Sequence, residues 1–210
     1  MSSCLIVDDH PAICFAIKTI INSIGYTSTT ASNGITAIAK VKEQTPDLVI
    51  LDIMLNKMDG LQILKHIRCL DDHVKVIIYT SLPIDIYAER SLRAGACGFF
   101  SKDNDISQLG HMCTLVMNGY LCFPQKAILL ATQPNDTNAK SSIFDRLSDR
   151  EITVLRYLSS GLKNKEIAEK LLLSNKTIGT YKSRIMEKLQ VRTTDQLLSI
   201  INNQDDLHDR

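Results

Sequence analysis

Short apolar runs alternate, over the first 120 residues, with longer segments in which apolar residues recur every three or four positions. The runs predict strands and the longer segments predict amphipathic helices. Most runs are apolar throughout, which is typical of strands buried on both faces of a parallel sheet. The predicted strands are Cys4–Val7, Tyr26–Thr30, Leu48–Leu51, Val76–Tyr79 and Gly98–Phe100.

A helical segment follows each of these strands. Pro11 suits the first turn of a helix over Pro11–Ile24, and glycines end two later helices, Ile84–Ala94 and Ile106–Met117. Two more helices are marked by apolar residues at helical spacing: Ile35, Ile38 and Val41, then Leu61, Ile63, Leu64 and Ile67. Five strand–helix units in a row predict an α/β fold, a doubly wound five-stranded parallel sheet with helices on both faces.

The pattern changes further along the chain and divides it into three parts. We predict a first domain over residues 1–122, a linker over 123–143 with a short helix at 124–131, and a second domain over 144–210. Polar, turn-forming residues fill 132–142, so we expect this part of the linker to be flexible.

The second domain shows helical spacing alone, which predicts a small all-α fold. Ser148 and Glu151 form a capping box that opens its first helix, and Asn164 and Ser174 are expected to cap the second and third helices. A brief turn before Ser174 joins a short helix to a longer one, which predicts a helix-turn-helix. A fourth helix is expected to begin at Thr193 or Thr194, with an apolar stripe of Leu197, Leu198 and Ile201.

Charge differs between the two domains. Residues 1–125 carry ten Lys and Arg against twelve Asp and Glu, a net charge of −2. Residues 146–192 carry eleven Lys and Arg against five Asp and Glu, a net charge of +6. This asymmetry indicates a polyanion as the partner of the second domain, with a merely solvated basic face as the alternative.

Several protein classes are disfavoured by composition. No apolar run is long enough to span a bilayer, and no basic segment followed by a long apolar stretch opens the chain, so we expect a cytoplasmic protein without a membrane partner. The six cysteines are scattered without a Cys-x-x-Cys pair, which favours buried free thiols over disulfides or a zinc site.

Five polar residues lie at or just after the ends of predicted strands: Asp8, Asp9, Asp52, Thr80 and Lys102. Open α/β sheets bind ligands at the carboxyl ends of their strands, so we expect these residues to converge on one site. Three carboxylates, a hydroxyl and an ammonium suit a divalent metal ion and a phosphoryl group. Taken singly, the aspartates could cap a helix, the threonine could end a strand and the lysine could be solvated.

This set of groups favours phosphoryl transfer. Asp52 is the candidate nucleophile, because a carboxylate forms an acyl phosphate when a metal and a cation neutralise the incoming charge. Asp9, with Asp8 beside it, and Asp52 are expected to hold Mg²⁺, and the backbone carbonyl of Met54 is a further candidate ligand. Lys102 would pair with a phosphoryl oxygen.

Two further residues are expected to respond once phosphate is present. Thr80 would hydrogen-bond a phosphoryl oxygen and move inward, which would let the aromatic ring of Phe99 repack. The residues two positions after Asp52 and Thr80, Met54 and Leu82, are apolar. We hypothesise that they fail to orient the water that hydrolyses the acyl phosphate, which makes self-dephosphorylation slow.

The first domain resembles the receiver domain of bacterial two-component response regulators. The matching segments are Val7–His10, Leu51–Asp52, Met58–Gly60, Tyr79–Ser81, Ala94–Phe99 and Lys102. The resemblance implies a flavodoxin-like fold, with Asp52 accepting phosphate from a partner sensor histidine kinase. Two departures concern loop shape: no proline precedes Met58 in the loop after Asp52, and Asp103 rather than proline follows Lys102.

The third helix of the second domain is the candidate recognition helix, whose N-terminal half would enter the DNA major groove. Lysine, threonine, serine and asparagine can hydrogen-bond base edges, whereas basic side chains meet phosphates that position the protein. The candidate base-contacting residues are Asn175, Lys176, Thr180 and Ser183, and the candidate phosphate-contacting residues are Lys182, Arg184, Lys188 and Arg192. Thr177 is a further candidate for DNA contact.

The second domain resembles the LuxR-type helix-turn-helix of the NarL/FixJ class. The matching segments are Leu147–Glu151, Gly161, Asn164–Ala168, Leu173–Ile178, Tyr181–Arg184 and Glu187–Leu189. Within the class, the chain looks most like regulators of the BvgA, EvgA and FimZ type. The resemblance implies that the fourth helix mediates a homodimer, although its apolar stripe could equally serve the core of the domain.

Gly179 departs from this pattern, because related proteins usually carry a side chain there. Glycine inside a helix costs about 1 kcal/mol relative to alanine. Either glycine permits a close approach to DNA or this position reads nothing, and we favour the second.

We therefore predict a DNA-binding transcriptional response regulator that is switched by phosphorylation of Asp52, not an enzyme. One alternative is a DNA-binding regulator that works without phosphorylation. The other is an aspartate-nucleophile phosphohydrolase, which would typically place a second acid near the nucleophile, where this chain has Met54.

Overall fold

The structure is a computed structural model that describes residues 2–55, 58–132, 146–171 and 173–205, with side chains described as far as residue 199. The chain forms two compact units, residues 1–134 and 135–210. Within the described residues, no helix is both long enough and apolar enough to cross a membrane.

The first unit is built on the predicted five-stranded parallel sheet. Its strands are β1 (Ser3–Val7), β2 (Thr27–Ala31), β3 (Leu48–Leu51), β4 (Lys75–Thr80) and β5 (Gly98–Ser101), in the order β2-β1-β3-β4-β5. The fold class is thus confirmed. Strand β2 begins one residue later than predicted and is only partly buried, because it lies at the edge of the sheet.

Six α-helices accompany the sheet within the described part of the first unit. They are α1 (Pro11–Ser23), α2 (Gly34–Gln44), α3 (Gly60–Leu70), α4 (Ile84–Arg93), α5 (Leu109–Met117) and α6 (Gln125–Thr132). The helix predicted from Ile106 is divided into a 3₁₀ turn over Ile106–Gln108 and α5. The Asp105 side chain caps that turn by accepting the backbone N–H of Ser107.

The core explains why the central strands are apolar throughout. Every residue of β3 is buried, since helices cover both faces of the sheet. One cluster packs α1 and α5 against the sheet, with Ile17 and Ile21 from α1 and Leu109 and Val116 from α5. All six cysteines are free. Burial raises the pKa of the Cys113 thiol to about 12, as expected of an inert core thiol.

The helix predicted for the linker over residues 124–131 corresponds to α6, which begins and ends one residue later and belongs to the first compact unit. Helix α6 packs against α4, and its Ala127 is buried. The rest of the predicted linker, residues 133–143, lies outside the described residues.

The second unit contains four helices among its described residues: α7 (Asp149–Ser159), α8 (Asn164–Lys170), α9 (Asn175–Lys188) and α10 (Thr194–Asp205). The predicted capping box of α7 is present. The predicted cap of α8 is wrong by one residue: Asn164 is the first helical residue, and the N–H of Lys163 donates to Glu166 at 2.6 Å. Helix α7 contacts both α8 and α9.

Candidate functional site

The carboxyl ends of the parallel strands bring the predicted acidic residues to one edge of the sheet. Asp8 follows β1 and Asp52 follows β3, which are neighbouring strands, while Thr80 ends β4 and Lys102 follows β5. Asp8 and Asp52 are each 2% exposed and Thr80 is fully buried. We call this group, together with Asp9, the acidic edge.

Lys102 joins two strands of the acidic edge. Its Nζ atom lies 2.7 Å from Oδ2 of Asp8 and 2.7 Å from Oδ2 of Asp52. Burial alone would lower the pKa of Lys102, but the charges and hydrogen bonds of Asp52 and Asp8 outweigh it and raise the pKa. The same ammonium lies 5.4 Å from the ring centre of Tyr79, a contact that sequence reasoning missed. A single lysine thus faces more than one carboxylate, and the edge retains negative charge.

The loop after β3 fixes the second oxygen of Asp52. Oδ1 accepts the backbone N–H of Met54 at 3.0 Å, and the chain then returns at Gly60, whose N–H donates to the carbonyl of Ile53 at 3.0 Å. A Cβ atom on Gly60 would lie 2.5 Å from the Cα of Ile53 and closer still to the carbonyl oxygen of Asp52. Residue 60 is therefore restricted to glycine by this close backbone approach.

Asp8, Asp9 and His10 place three potential metal-ligand atoms within 4.8 Å of one another. Nδ1 of His10 lies 2.9 Å from Oδ1 of Asp9 and 3.2 Å from Oδ1 of Asp8. Carboxylate oxygens are the ligands that Mg²⁺ prefers, so Asp8 and Asp9 fit the predicted ion. Asp52, which was also predicted to hold it, is not part of this cluster. His10 was missed by sequence reasoning, although its position directly after the aspartate pair was a usable signal.

Thr80, in the acidic edge, and Phe99, in β5, are both buried. Oγ1 of Thr80 accepts the backbone N–H of Leu82 at 3.3 Å. Phe99 is 4% exposed, and its backbone N–H donates to the carbonyl of Cys122 at 3.0 Å. The predicted response of these two residues to phosphate stays a prediction.

The candidate recognition helix is α9. Ser174 caps it by accepting the N–H of Thr177 at 3.0 Å, and the two hydroxyls lie 2.7 Å apart. Thr177 is thus engaged in the cap. Both Thr177 and Lys182, further along the helix, are half-buried. The other candidate DNA-contacting residues are exposed: Asn175, Lys176, Thr180, Ser183, Arg184, Lys188 and Arg192.

Lys188 also has a partner within its own domain. Its Nζ atom lies 2.7 Å from Oε2 of Glu151, whose side chain is 4% exposed, whereas the Lys188 side chain is 42% exposed. Sequence reasoning assigned Lys188 to phosphate contact and missed this pair.

Comparison with protein-family models assigns both units. The response regulator receiver domain matches residues 4–114, and the luxR family of bacterial regulatory proteins matches residues 145–201. The chain belongs to the response regulators. The family resemblance drawn from the sequence motifs is therefore confirmed.

Relatives of this response regulator cover nearly its whole length. The Fimbriae Z protein of Escherichia coli is 39% identical over 94% of both chains. The virulence-factor transcription regulator BvgA of Bordetella pertussis is 34% identical over 93% of this chain and 94% of its own. The DNA-binding transcriptional activator EvgA of Escherichia coli is 34% identical over 90% of this chain and 92% of its own.

Solved structures agree on the fold. The RcsB response regulator of Salmonella typhimurium matches with a TM-score of 0.61 at 24% identity, over 97% of this chain and 98% of that chain. A CheY-like receiver domain protein from Methanospirillum hungatei matches 56% of this chain and 94% of that chain, with a TM-score of 0.54 at 27% identity.

Proposed function

We propose that a sensor histidine kinase phosphorylates Asp52 of this cytoplasmic response regulator and that this event controls the binding of α9 to double-stranded DNA. The observation that carries the proposal is the bridge from Lys102 to Asp8 and Asp52, because it places an ammonium beside a buried carboxylate at the ligand-binding edge of a parallel sheet. Transfer forms a P–O bond to Asp52 and breaks the P–N bond of the donor phosphohistidine.

The incoming phosphoryl group brings negative charge, which residues of the acidic edge would offset through a bound Mg²⁺ ion and through Lys102. Asp9, Asp8, Asp52 and the carbonyl of Met54 would hold Mg²⁺, which supplies the positive charge that phosphoryl oxygens need. Lys102 leaves its contact with Asp52 and pairs with a phosphoryl oxygen instead. The hydroxyl of Thr80 exchanges the N–H of Leu82 for another phosphoryl oxygen, and Phe99 repacks into the space that opens.

DNA recognition falls to the exposed face of α9. Asn175, Lys176, Thr180 and Ser183 are suited to base edges. Lys182 and Arg184 of α9, and Arg192, which lies beyond the end of the helix, are suited to phosphates. Thr177 contributes mainly through the helix cap, and Lys188 mainly through its pair with Glu151.

A homodimer is proposed through α10, so that two copies of α9 meet two half-sites. Leu197 faces the core of its own domain, where α10 contacts α7, and this leaves the other side of α10 for the partner copy. Phosphorylation shifts the population towards the form that binds DNA as this dimer.

DNA binding with and without phosphorylation tests the proposal. A duplex is first selected from a random-sequence pool, and its binding is measured with and without Mg²⁺ and acetyl phosphate, while intact mass reports phosphorylation. We compare the wild type with Asp52→Asn, and with Asp72→Asn as a matched control, since the Asp72 side chain is 81% exposed and lies away from the acidic edge.

We expect the donor to add one phosphoryl group and tighten DNA binding in the wild type and in Asp72→Asn, and to do neither in Asp52→Asn. Binding that ignores the donor would instead support a regulator that works without phosphorylation. Steady release of phosphate from small phosphate esters would support the phosphohydrolase and overturn the proposal.

A further inference from the structure

The segment Cys122–Thr132, which we call the strap, is attached to the edge of the receiver sheet before it forms α6. The N–H of Cys122 donates to the carbonyl of Cys97 at 2.9 Å, and the N–H of Phe99 donates to the carbonyl of Cys122 at 3.0 Å. Cys122 thereby forms an isolated parallel bridge with Gly98 of β5. The start of the strap is thus hydrogen-bonded to the backbone of Phe99, the aromatic residue that is expected to repack on phosphorylation.

The other end of the strap is held by α4. Arg93, in the last turn of α4, donates from its guanidinium to the carbonyl of Leu130 at 2.8 Å, and its Nε lies 2.8 Å from Oε1 of Glu89. Leu130 lies in the last turn of α6, where backbone carbonyls have no partner within the helix. Arg93 therefore caps α6 and fixes it along α4.

A pocket of about 570 Å³, open towards solvent, lies beside the attachment at Cys122. Phe99 and Ile84, the first residue of α4, line it together with Phe123 and Pro124 of the strap. Because Phe99 borders this mainly apolar pocket, a change in the packing of its ring would act on Ile84, Phe123 and Pro124. Any movement of Phe99 or of the start of α4 therefore changes the surface against which the strap packs.

In this structure the strap is docked while Asp52 in the acidic edge is unphosphorylated. Oδ2 of Asp52 is bound by Lys102 and Oδ1 by the N–H of Met54, which is the arrangement of a free carboxylate. Phosphorylation would take Lys102 and the hydroxyl of Thr80 into new bonds. Thr80 is joined to α4 by a short turn, and Lys102 to Phe99 by β5, so both changes reach the surfaces that hold the strap.

We propose that the strap is an intramolecular restraint: docked on α4 and β5, it stabilises the unphosphorylated arrangement, and phosphorylation of Asp52 releases it. This rests on the proposed function. A contact that favours one of two arrangements must weaken when the other is populated, and weakening the contact must in turn populate the other. Since the chain continues from the strap to the DNA-binding unit, release changes how that unit is tethered to the receiver.

Hydrogen exchange on the full chain tests this directly. Exchange of the α6 backbone amides is measured before and after addition of Mg²⁺ and acetyl phosphate, with intact mass confirming phosphorylation. Two variants weaken the contact by different means: Arg93→Met removes the cap of α6, and Ala127→Leu overfills a buried position. Leu129→Ala is the matched control, because Leu129 is 55% exposed on the same helix.

We expect phosphorylation to speed exchange in α6 of the wild type. Without any donor, Arg93→Met and Ala127→Leu should speed it too, and should tighten DNA binding about fivefold, a factor in keeping with the loss of one charged hydrogen bond at a partly exposed site. Leu129→Ala should change neither.

Unchanged α6 exchange on phosphorylation, in a wild type whose DNA binding does respond, would overturn the strap while leaving the proposed function intact. Faster exchange in both variants without tighter DNA binding would also overturn it. A wild type whose DNA binding ignores phosphorylation would overturn the proposed function, and the strap proposal with it.

Discussion

The Nζ atom of Lys188 lies 2.7 Å from Oε2 of Glu151 and so joins the end of the candidate recognition helix α9 to the start of α7. Glu151 is almost fully buried and also accepts the N–H of Ser148 at 2.7 Å in the capping box. One carboxylate thus completes a helix cap and a contact between helices. The pair sets the orientation from which α9 would meet DNA.

Replacing Lys188 by methionine should lower the free energy of unfolding of the second unit by about 1–2 kcal/mol, because Glu151 then remains buried with fewer partners. Arg184→Met, which removes an exposed charge from the same helix, should change stability by less than about 0.5 kcal/mol and mainly weaken DNA binding. Chemical denaturation followed by hydrogen exchange in α7 and α9 measures both. A stable Lys188→Met that binds DNA poorly would return Lys188 to the role of a phosphate contact.

The same pair makes stability depend on pH. Burial alone would raise the pKa of Glu151, but the contacts with Lys188 and Ser148 outweigh it and lower the pKa. The stability that the carboxylate contributes is therefore complete above the ordinary glutamate pKa of about 4.3, and it is lost as the pH falls through the lower folded-state value. Unfolding free energies measured from neutral to acid pH should converge for the wild type and Glu151→Gln. A constant difference between the two would contradict this assignment.

The acidic edge could be predicted from sequence because it depends on a general rule. Buried apolar strands such as Leu48–Leu51 stand out, and the carboxyl ends of parallel strands meet at one edge, so Asp52 and Lys102 had to lie close together. The pair of Glu151 and Lys188 follows no such rule. These residues are 37 positions apart, and neither interrupts the periodicity of its helix.

The capping of α8 and the docking of α6 show a second limit of sequence reasoning. Asn164 is a favourable capping residue, yet the chain begins the helix one residue earlier because Glu166 reaches back to the N–H of Lys163. The apolar residues of α6 predict a helix but not its partner, since α4 is distant in sequence and the contacts that join the two helices, among them the hydrogen bond from Arg93 to Leu130, follow no local pattern.

Replacing Gly60 by alanine should lower the free energy of unfolding of the receiver by about 1–3 kcal/mol, because the new Cβ would overlap the backbone at Asp52 and Ile53. The displaced loop should also slow phosphoryl uptake at Asp52. Thermal unfolding gives the first effect and the rate of intact-mass change with acetyl phosphate gives the second. Normal stability and normal uptake together would mean that the loop yields without cost.

Gly179→Ala should have the opposite effect on stability. A Cβ at this position meets no atom within 4 Å, so the variant should gain about 1 kcal/mol from helix propensity. Binding to a panel of half-site variants then separates the two interpretations of this glycine. Unchanged base preference supports a position that reads nothing, whereas weaker binding or altered preference shows that DNA approaches the helix closely at this point.

The lifetime of the phosphoryl group should depend on Met54 and Leu82. The N–H of Met54 donates to the Asp52 carboxylate, and the N–H of Leu82 donates to the hydroxyl of Thr80. Met54 thus begins beside the reacting carboxylate, and Leu82, which is 6% exposed, follows the threonine expected to bind the phosphoryl group. Neither apolar side chain can orient the water that attacks the acyl phosphate.

Met54→Asn and Leu82→Asn should therefore speed the loss of phosphate from Asp52 by roughly tenfold, below the range of a fully positioned acid–base group. Met54→Leu and Leu82→Met are the matched controls, since they keep volume and polarity nearly constant. The decay of the phosphorylated mass after removal of the donor measures each rate. Equal rates in the polar and apolar variants would show that water reaches the acyl phosphate by another path, and the slow-decay hypothesis would then be wrong.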